Sequence, residues 1–465
     1  MTSALPPSLP DASAGFDPRG EPLDVLRDIL ERGDDGALRA FLAAFPHASD
    51  VADLLEALPE DERMRVLRVL ADDPERAAEA LAEMEPEEHP EESLAALEPE
   101  QIAAVVAELS DDDAADIIGE LDPAERDRVL AALPHEDAGE IRELLAYDEE
   151  SAGGIMTAEL VAVPITLTAA GAIDEVRRQA QDVEAFYSVF VVDEEGVLRG
   201  TLPLQALVTA APEAHVADLV EPPLATVLPE TDQEEVGRIV ARYNLTVVPV
   251  IDTGGRLLGG VTFDDVIDII EAETTEDLLK FGGVSDEEEI RGGWADAVRS
   301  RLPWLGVNLV TASFGAFVVW YFRDTVDDYA VLAVIMPVVA GMGGNSGTQA
   351  LAVTVRRLAL SQESLRGRWG IVLKEFLVGL TNGLVIGTVV AGLAYALDGE
   401  PLLGLVVMLA MWANLTVGSF AGAFVPIVLE RLKVDPAIAS SMFVTAFTDM
   451  CGFLLLLGMA TQLLL

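Results

Sequence analysis

Residues 336–350 read MPVVAGMGGNSGTQA and lie inside a long apolar stretch of the chain. The segment combines four glycines with a proline, an asparagine and a glutamine. Polar groups at membrane depth are costly unless they face protein or water. Such a segment can unwind and present carbonyls to an ion, or it can form a small-residue seam between helices. Both interpretations stay open, because the wall of a pore must also pack tightly.

The segment belongs to the second of five apolar stretches, each near the ~20 residues that a membrane-spanning helix needs. We predict spans at 303–322, 330–354, 371–397, 402–429 and 437–463. The basic residues of the connecting segments fall on two sides. One side has Arg301, Arg356, Arg357, Arg366, Arg368, Lys374, Arg431 and Lys433, and the other has Arg323. The positive-inside rule then predicts a multi-pass protein of the cell membrane, with the N-terminal half in the cytoplasm and the C-terminus outside.

The charge is distributed very unevenly. The chain has 80 acidic and 29 basic residues, a net charge of −51, with a mean hydropathy of +0.34. Residues 301–465 contain 10 acidic and 9 basic residues, so residues 1–300 carry a net charge of −50. This acidity disfavours nucleic-acid binding and favours divalent cations, although salt adaptation of the proteome would also produce it. The start of the chain has no secretory signal, and Cys451 is the only cysteine, so neither disulfides nor a thiolate zinc site are expected.

The fifth span, within SSMFVTAFTDMCGFLLLLG (440–458), contains Asp449 as its only ionisable residue. A carboxylate at this depth is a functional candidate by default. We see no further intramembrane acid or histidine, and no basic residue at membrane depth that could pair with Asp449. We therefore predict that Asp449 binds a metal ion or a proton. Asn382 and Asn414 in neighbouring spans are weaker candidates, because single amides often serve helix packing.

Residues 151–273 contain one pattern twice: a short strand, a helix after a Thr or Asp cap, two β-branched strands joined by a turn (DEEG, DTGG) and a closing helix. The pattern resembles a tandem CBS-domain pair. Such pairs commonly bind adenine nucleotides through a Gly-x-x-Thr-x-x-Asp turn. The second repeat has this turn as GGVTFDD, which predicts a nucleotide site at Thr262 and Asp265, with ATP as its candidate ligand.

Residues 21–150 show short segments that each start with Leu and a turn or cap residue, continue with Asp or Glu, and end on an apolar face, as in LSDDDAADIIGEL (109–121). This pattern predicts short helices stacked in a superhelix. The following segment, 271–305, predicts a connecting helix that enters the first span. From the closing helix of the second repeat into this segment, Asp265, Asp268 and Glu276 recur at helical spacing, and Glu273 and Asp277 fit it less closely, so several carboxylates share one face. Such a face either binds cations or is simply solvated.

Together, the PVVAGMGGNSGTQ and VTAFTD motifs with this domain order resemble the MgtE family of magnesium channels. The resemblance implies a homodimer whose ion path lies on the two-fold axis, lined by Gly343, Gly344 and Asn345 and with Asp449 binding hydrated Mg²⁺. It also implies that cytosolic Mg²⁺ closes the pore by bridging carboxylates. The carboxylates carried over for sensing are Asp112, Asp116, Asp232, Glu234, Asp265, Asp268, Glu273, Glu276 and Asp277. Two residues depart from the family pattern: Asn244 stands where the family often has an acid, and Thr445, one turn before Asp449, adds a hydroxyl to the implied ion path and is counted with the pore residues.

The predicted fold class is a multidomain α-helical membrane protein. Its predicted parts are a disordered tail (1–24), an acidic helical domain (25–149), CBS repeats (150–212 and 213–273), a connecting helix (274–302) and a five-helix pore domain (303–465). We expect a non-enzymatic Mg²⁺ channel whose partners are Mg²⁺, membrane lipids and a second copy of itself, with no nucleic acid. Two alternatives remain. An ion-coupled divalent cation transporter predicts a second intramembrane ionisable site, and a membrane-anchored nucleotide sensor predicts spans without polar residues.

Overall fold

The computed structural model describes residues 21–135, 137–180, 183, 186, 188–282, 284, 294–360, 365–432 and 441–465. The chain divides into two compact units, Met1–Glu271 and Ala272–Leu465. We call them the N-terminal unit and the membrane unit. Several sequence predictions lie outside the described residues: the tail up to residue 20, most of 283–293 in the connecting segment, and 437–440 at the start of the fifth span.

The N-terminal unit begins with a stack of short helices, as the sequence predicts. Those helices are α1 (Glu21–Arg32), α2 (Asp35–Leu42), α3 (Ala48–Glu56), α4 (Glu60–Leu70), α5 (Pro74–Ala82), α6 (Pro90–Ala95), α7 (Pro99–Val106), α8 (Asp111–Gly119), α9 (Pro123–Ala132) and α10 (Asp137–Leu144). Alternate helices contact each other, so α3, α5, α7 and α9 form one row and α2, α4, α6, α8 and α10 form the other. Fully buried leucines between the rows, such as Leu54, Leu67 and Leu81, supply the core of this superhelix.

Helix starts in this stack follow from local chemistry. Proline occupies the first turn of α5, α6, α7 and α9, where its missing N–H has no helical acceptor to lose. At α8 the Ser110 hydroxyl instead accepts a hydrogen bond from the Asp113 N–H at 3.3 Å. The cap at Ser110 places three consecutive aspartates, residues 111–113, in the first turn of α8.

The two repeats that follow form small α/β modules. Their elements are β1 (Ala162–Pro164), α11 (Ala169–Gln179), β2 (Ser188–Val192), β3 (Leu198–Pro203), α12 (Leu204–Thr209), α13 (Val216–Leu219), α14 (Gln233–Tyr243), β4 (Val247–Ile251), β5 (Leu257–Thr262) and α15 (Phe263–Gly282). Strand β1 pairs parallel to β2, and β2 pairs antiparallel to β3. In the second repeat β4 pairs antiparallel to β5, and the counterpart of β1 is reduced to a bridge between Val227 and Val250.

The turns DEEG and DTGG show that the two repeats have the same construction. Gly196 and Gly255 have φ angles of +78° and +83°, which favour glycine. The two turns also bond to each other: the Leu198 N–H donates to the Gly255 carbonyl at 2.9 Å, and the Leu257 N–H donates to the Gly196 carbonyl at 3.1 Å. The reciprocal pair relates the repeats by a local pseudo-two-fold axis.

The membrane unit is built from long helices joined by short connections. They are α16 (Trp294–Tyr321), α17 (Arg323–Asp328), α18 (Val331–Leu360), α19 (Leu365–Asp398), α20 (Pro401–Arg431) and α21 (Ser441–Leu463). Five of the described helices, all except the short α17, are long and apolar enough to cross a membrane, which agrees with the five predicted spans.

Glycines let the membrane helices approach closely. A Cβ at Gly379, Gly383 or Gly387 of α19 would lie 2.8–2.9 Å from an atom of α20. These positions recur every four residues, so they form one small-residue seam along α19. A second seam joins α18 to α20, because a Cβ on Gly422 would lie 2.2 Å from the Gly347 carbonyl oxygen. The GGNSGTQ segment of α18 is therefore helical and part of a seam, and it does not unwind.

Candidate metal sites

The first candidate site lies where α18 faces α21 in the membrane unit. A Cβ placed on Gly344 would lie 3.1 Å from Thr445 Cγ2 and 3.3 Å from Thr445 Oγ1. Asp449 follows one turn later on α21, on the face that carries Thr445. The structure therefore brings the glycine pair of the second span next to the acidic turn of the fifth.

Asp449 has an oxygen that lacks a hydrogen-bond partner. Its side chain is half-buried, and Oδ1 is fully buried without any donor among the described residues. An intramembrane carboxylate in this condition is poorly stabilised unless a cation or its water shell supplies the missing interactions. Asp449 is thus chemically suited to hold a cation.

The other predicted pore residues separate into two groups. Gly343 and Gly344 are buried at helix contacts, and the Cβ side of Gly343 is covered by Asn414. Asn345 is instead exposed on the single chain. Whether these residues line an ion path stays a prediction.

The second candidate site lies in the N-terminal unit, between helices α8 and α15. Asp112 and Asp116 lie one turn apart on α8, and Asp265 lies in the first turn of α15. Their charges act on one another, since Asp112 raises the pKa of both Asp116 and Asp265. The structure therefore groups three of the carboxylates carried over as sensing residues, which we call the α8–α15 acid cluster.

Burial is the main cause of the perturbed acidity in this cluster. Loss of hydration and then the Asp113 charge raise the pKa of Asp112 to about 6. Loss of hydration, followed by the charges of Asp112 and Asp113, raises the pKa of Asp116 to about 7, although Asp116 is an exposed residue and is therefore the least secluded member of the group. For Asp265, burial and the charge of Asp112 raise the pKa to about 6. These carboxyls gain most from a nearby cation, which would favour their ionised form.

The acid cluster does not form a closed coordination shell. Within the described ranges, no three His, Cys, Asp or Glu side chains are grouped closely enough to hold a metal ion. Asp112 is 9 % exposed, and its Oδ1 has no hydrogen-bond partner among the described residues. A hydrated divalent ion, held through its waters, suits this spacing better than a fully dehydrated one.

The remaining sensing candidates have varied surroundings. The Asp232 carboxylate caps α14 by accepting the Glu234 N–H at 3.0 Å, and Glu234 pairs with Arg238 at 2.5 Å. Burial and then the charge of Glu83 raise the pKa of Asp268. In the membrane unit Glu276 forms an ion pair with Lys280. Glu273 has interactions of its own, and the side chain of Asp277 lies outside the described residues.

The two residues of the predicted nucleotide turn contact each other. The Thr262 hydroxyl donates a hydrogen bond to the Asp265 carboxylate at the start of α15. Asp265 therefore belongs to both the predicted nucleotide turn and the acid cluster, so the two roles would draw on one carboxylate. Asn244 ends α14 in the left-handed conformation with φ +51°, which its short amide side chain tolerates better than most residues.

The expectation that Asp449 is the only acid inside the spans is wrong. Glu375 of α19 also lies within a span, is 6 % exposed, and pairs with Lys374 at 3.1 Å. It borders a cavity of about 220 Å³ that also has polar side chains from Ser346, Gln349 and Asn382. Its sequence position gives little sign of this burial, because it lies near the start of its span, next to a lysine, where charged residues are common.

The fold and these sites define a class of protein: a multi-pass helical membrane protein with an acidic helical domain and a CBS module. Family models agree with each part. A divalent cation transporter model, MgtE, matches residues 336–459, the MgtE intracellular N domain matches 46–150, and the CBS domain matches 216–272.

Similar proteins cover nearly the whole chain. A magnesium transporter MgtE of Thermus thermophilus is 37 % identical over 443 residues, which is 94 % of this chain and 98 % of that protein. A magnesium transporter MgtE of Bacillus subtilis is 30 % identical over 439 residues, covering 94 % and 96 %. The crystal structure of the cytosolic domain of the Mg²⁺ channel MgtE in complex with ATP is 40 % identical, with a TM-score of 0.50, and covers 53 % of this chain and 99 % of that one. The chain belongs to the MgtE family of magnesium transporters.

Proposed function

We propose that the protein is a Mg²⁺-selective channel that imports magnesium and is closed by Mg²⁺ in the cytosol. The observation that carries this proposal is Asp449, a half-buried intramembrane carboxylate beside the Gly344–Thr445 contact, with a buried oxygen that has no hydrogen-bond partner among the residues the structure describes. Mg²⁺ sheds its waters reluctantly, so a few oxygen ligands around a partly hydrated ion are sufficient. One carboxylate from each copy of a homodimer would supply two charges to such an ion.

The proposed closing mechanism uses the acid cluster. At low Mg²⁺ the carboxylates of residues 1–300, which carry a net charge of −50, repel one another. This repulsion favours a state in which the acidic parts of the protein are separated. Mg²⁺ binding would favour a compact, closed state in which the charges are neutralised. Because one site shifts an equilibrium only by its differential affinity, several carboxylates must act together. We assign this role first to Asp112, Asp116 and Asp265, and then to Asp232, Glu234, Asp268, Glu273, Glu276 and Asp277.

The excess of basic residues on one side supports a cytoplasmic N-terminal unit and an external C-terminus. This orientation puts the acid cluster in contact with the Mg²⁺ pool that import would raise. It is the arrangement that negative feedback requires.

The test is Mg²⁺ entry into proteoliposomes that contain a Mg²⁺-sensitive dye. The intact protein, Asp449→Ala and Asp398→Asn are compared; Asp398 is a matched control because it is an exposed carboxylate at the end of α19. We expect entry through the intact protein and Asp398→Asn, and none through Asp449→Ala. A protein that carries no Mg²⁺ at any internal concentration or voltage would overturn the proposal.

Glu375 favours a second candidate, an ion-coupled transporter, because it supplies the second intramembrane ionisable group which that class requires. Its ion pair with Lys374 makes the site neutral overall, which is why the channel remains our first proposal. Imposed proton and sodium gradients separate the two. A channel passes Mg²⁺ down the Mg²⁺ gradient whatever the proton and sodium gradients are. Mg²⁺ entry through a coupled transporter would depend on the proton or the sodium gradient, and Glu375→Gln would remove that dependence.

ATP binding is a further candidate role for the N-terminal unit. The similar cytosolic domain was solved with ATP, and this chain has the Gly-x-x-Thr-x-x-Asp turn at Thr262 and Asp265. Equilibrium binding of ATP to the full-length protein, compared with Thr262→Ala, tests it. Equal affinity in both proteins would contradict a role for this turn.

A further inference from the structure

Asn414 is a completely buried amide in the middle of the membrane unit. It lies on α20 with 0 % exposure, and its Nδ2 donates a hydrogen bond to the Val339 carbonyl of α18 at 2.9 Å. Its Oδ1 has no partner among the described residues. A buried amide oxygen without a donor destabilises the folded protein, so packing alone does not account for an amide at this position.

Two glycines surround this amide. A Cβ on Gly343 of α18 would lie 2.1 Å from Asn414 Nδ2, and a Cβ on Gly452 of α21 would lie 2.7 Å from the same atom. Contacts this short cannot be accommodated without movement, so both positions require glycine because Asn414 is there. The amide is therefore a three-helix contact that joins α18, α20 and α21 at one point.

The two glycines are neighbours of the candidate ion site. Gly343 precedes Gly344, which contacts Thr445, and Gly452 follows Asp449 by three residues. Any shift of the amide would move one of these turns relative to the other. A shift of about 1 Å in a functional group can change a rate by ~100-fold, so such movement would matter to ion recognition.

We propose that Asn414 is a positioning residue for the ion path, holding the Gly343 turn of α18 and the Gly452 turn of α21 at the separation that Mg²⁺ recognition needs. This inference rests on the proposed channel function. It also explains Gly343 differently from the family resemblance: the glycine accommodates Asn414 and need not face the ion.

The matched control is Ser419 on the same helix. It is 1 % exposed, and its Oγ bonds Ser346 Oγ at 2.7 Å, so it also joins α20 to α18. Its Cβ would lie 2.8 Å from a Cβ placed on Gly379 of α19, whereas the three atoms nearest a Cβ placed on Gly452 all belong to Asn414. Ser419→Ala thus removes a buried interhelical hydrogen bond without touching the turn after Asp449.

The experiment measures the ratio of Mg²⁺ to Ca²⁺ entry into proteoliposomes for the intact protein, Asn414→Ala, Asn414→Asp and Ser419→Ala. We expect the ratio to fall by about tenfold in Asn414→Ala, a loss well within the sensitivity of ion recognition to small displacements. Asn414→Asp keeps the shape of the side chain but replaces the amide that donates to the Val339 carbonyl with a carboxyl oxygen, so the ratio should fall in this variant as well. Ser419→Ala should keep the ratio of the intact protein. An unchanged ratio in Asn414→Ala, or an equal fall in Ser419→Ala, would overturn the inference.

A compensating pair keeps the test decisive if Asn414→Ala folds poorly. Gly343→Ala alone should impair both folding and transport, because its methyl group meets the amide. In the Asn414→Ala background that methyl has room, so Gly343→Ala should be less harmful there and should restore part of the ratio. Additive effects of the two substitutions would contradict the proposed contact. If the intact protein carries no Mg²⁺, the channel proposal itself fails. If the intact protein carries Mg²⁺ but the Asn414 and Gly343 variants do not change the Mg²⁺ to Ca²⁺ ratio as expected, only the positioning role fails.

Discussion

Asp449 and the α8–α15 acid cluster are both partly buried carboxylate sites, but they differ in number and surroundings. Asp449 is one acid in an apolar helix beside glycines and a threonine, whereas the cluster has three mutually repelling acids on polar helices. A single intramembrane acid suits an ion that must pass, because weak binding permits release. Several coupled acids suit an ion that must be sensed. Their repulsion disfavours the compact state without Mg²⁺, and bound Mg²⁺ favours that state by neutralising the charges.

The largest effect should come from removing the charge of Asp449 while keeping its shape. Asp449→Asn should lower maximal Mg²⁺ entry by about 100-fold, equivalent to ~2.7 kcal/mol. Asp112→Asn should leave maximal entry unchanged, and closure should require more internal Mg²⁺. Dye-based entry measured across internal Mg²⁺ concentrations checks both. If Asp112→Asn also abolished entry, the separation between passing and sensing would be wrong.

The next effect tests the seams that position Asp449. Gly422→Ala places a methyl 2.2 Å from the Gly347 carbonyl oxygen, so α18 and α20 must move apart. We expect a loss of about 1–3 kcal/mol in stability, as for other overpacked cores. Gly392→Ala is the control, since a Cβ there meets no atom of the described part of the chain within 4 Å. Thermal unfolding of the two variants in detergent measures the difference, and equal melting temperatures would argue against the seam.

Much of this arrangement is predictable from the sequence. The five spans, the short capped helices and the paired repeats follow from apolar length, Pro and Asp starts, and β-branched runs. The grouping of Asp112 with Asp265 is different: they are far apart in the chain, and the resemblance to a known family suggested their common role. Nothing in the local pattern of α8 or α15 indicates which faces meet.

The sequence is least informative about polar side chains that are ion-paired or buried between helices. Glu375 looks like an ordinary charge at a span end, and only tertiary packing makes it a buried residue. A single amide such as Asn414 is expected to serve helix packing, and its bond to Val339 supports this, but its contact with Gly343 and Gly452 depends on three helices meeting. Both examples concern burial that is created by packing between helices, which no single-helix pattern specifies.

A smaller effect concerns pH, and it should be confined to the acid cluster. The pKa values of Asp112 and Asp265 rise to about 6 and that of Asp116 to about 7, from an unfolded value of ~4. For acids raised in the folded state, the stability contribution is complete below pH ~4 and is lost as pH rises through the folded values. Without Mg²⁺, the N-terminal unit should therefore be more stable at pH 5.5 than at pH 7.5.

Thermal unfolding of the full-length protein without Mg²⁺ measures this difference. Asp112→Asn should reduce the difference between the two pH values, and added Mg²⁺ should remove most of it by stabilising the ionised acids at pH 7.5. An unfolding temperature that is the same at both pH values would show that these carboxyls do not repel each other in the folded protein.

The smallest effect should come from Glu234, which distinguishes clustered from isolated acids. Its carboxylate is partly exposed and pairs with Arg238 of the same helix at 2.5 Å, so a cation gains little by replacing that partner. An exposed pair of this kind contributes about 0–1 kcal/mol. We expect Glu234→Gln to shift the internal Mg²⁺ concentration for closure less than Asp112→Asn does. The same proteoliposome titration measures both shifts. If Glu234→Gln shifted closure as much as Asp112→Asn, Mg²⁺ sensing would depend on the total charge of the N-terminal unit and not on the α8–α15 acid cluster.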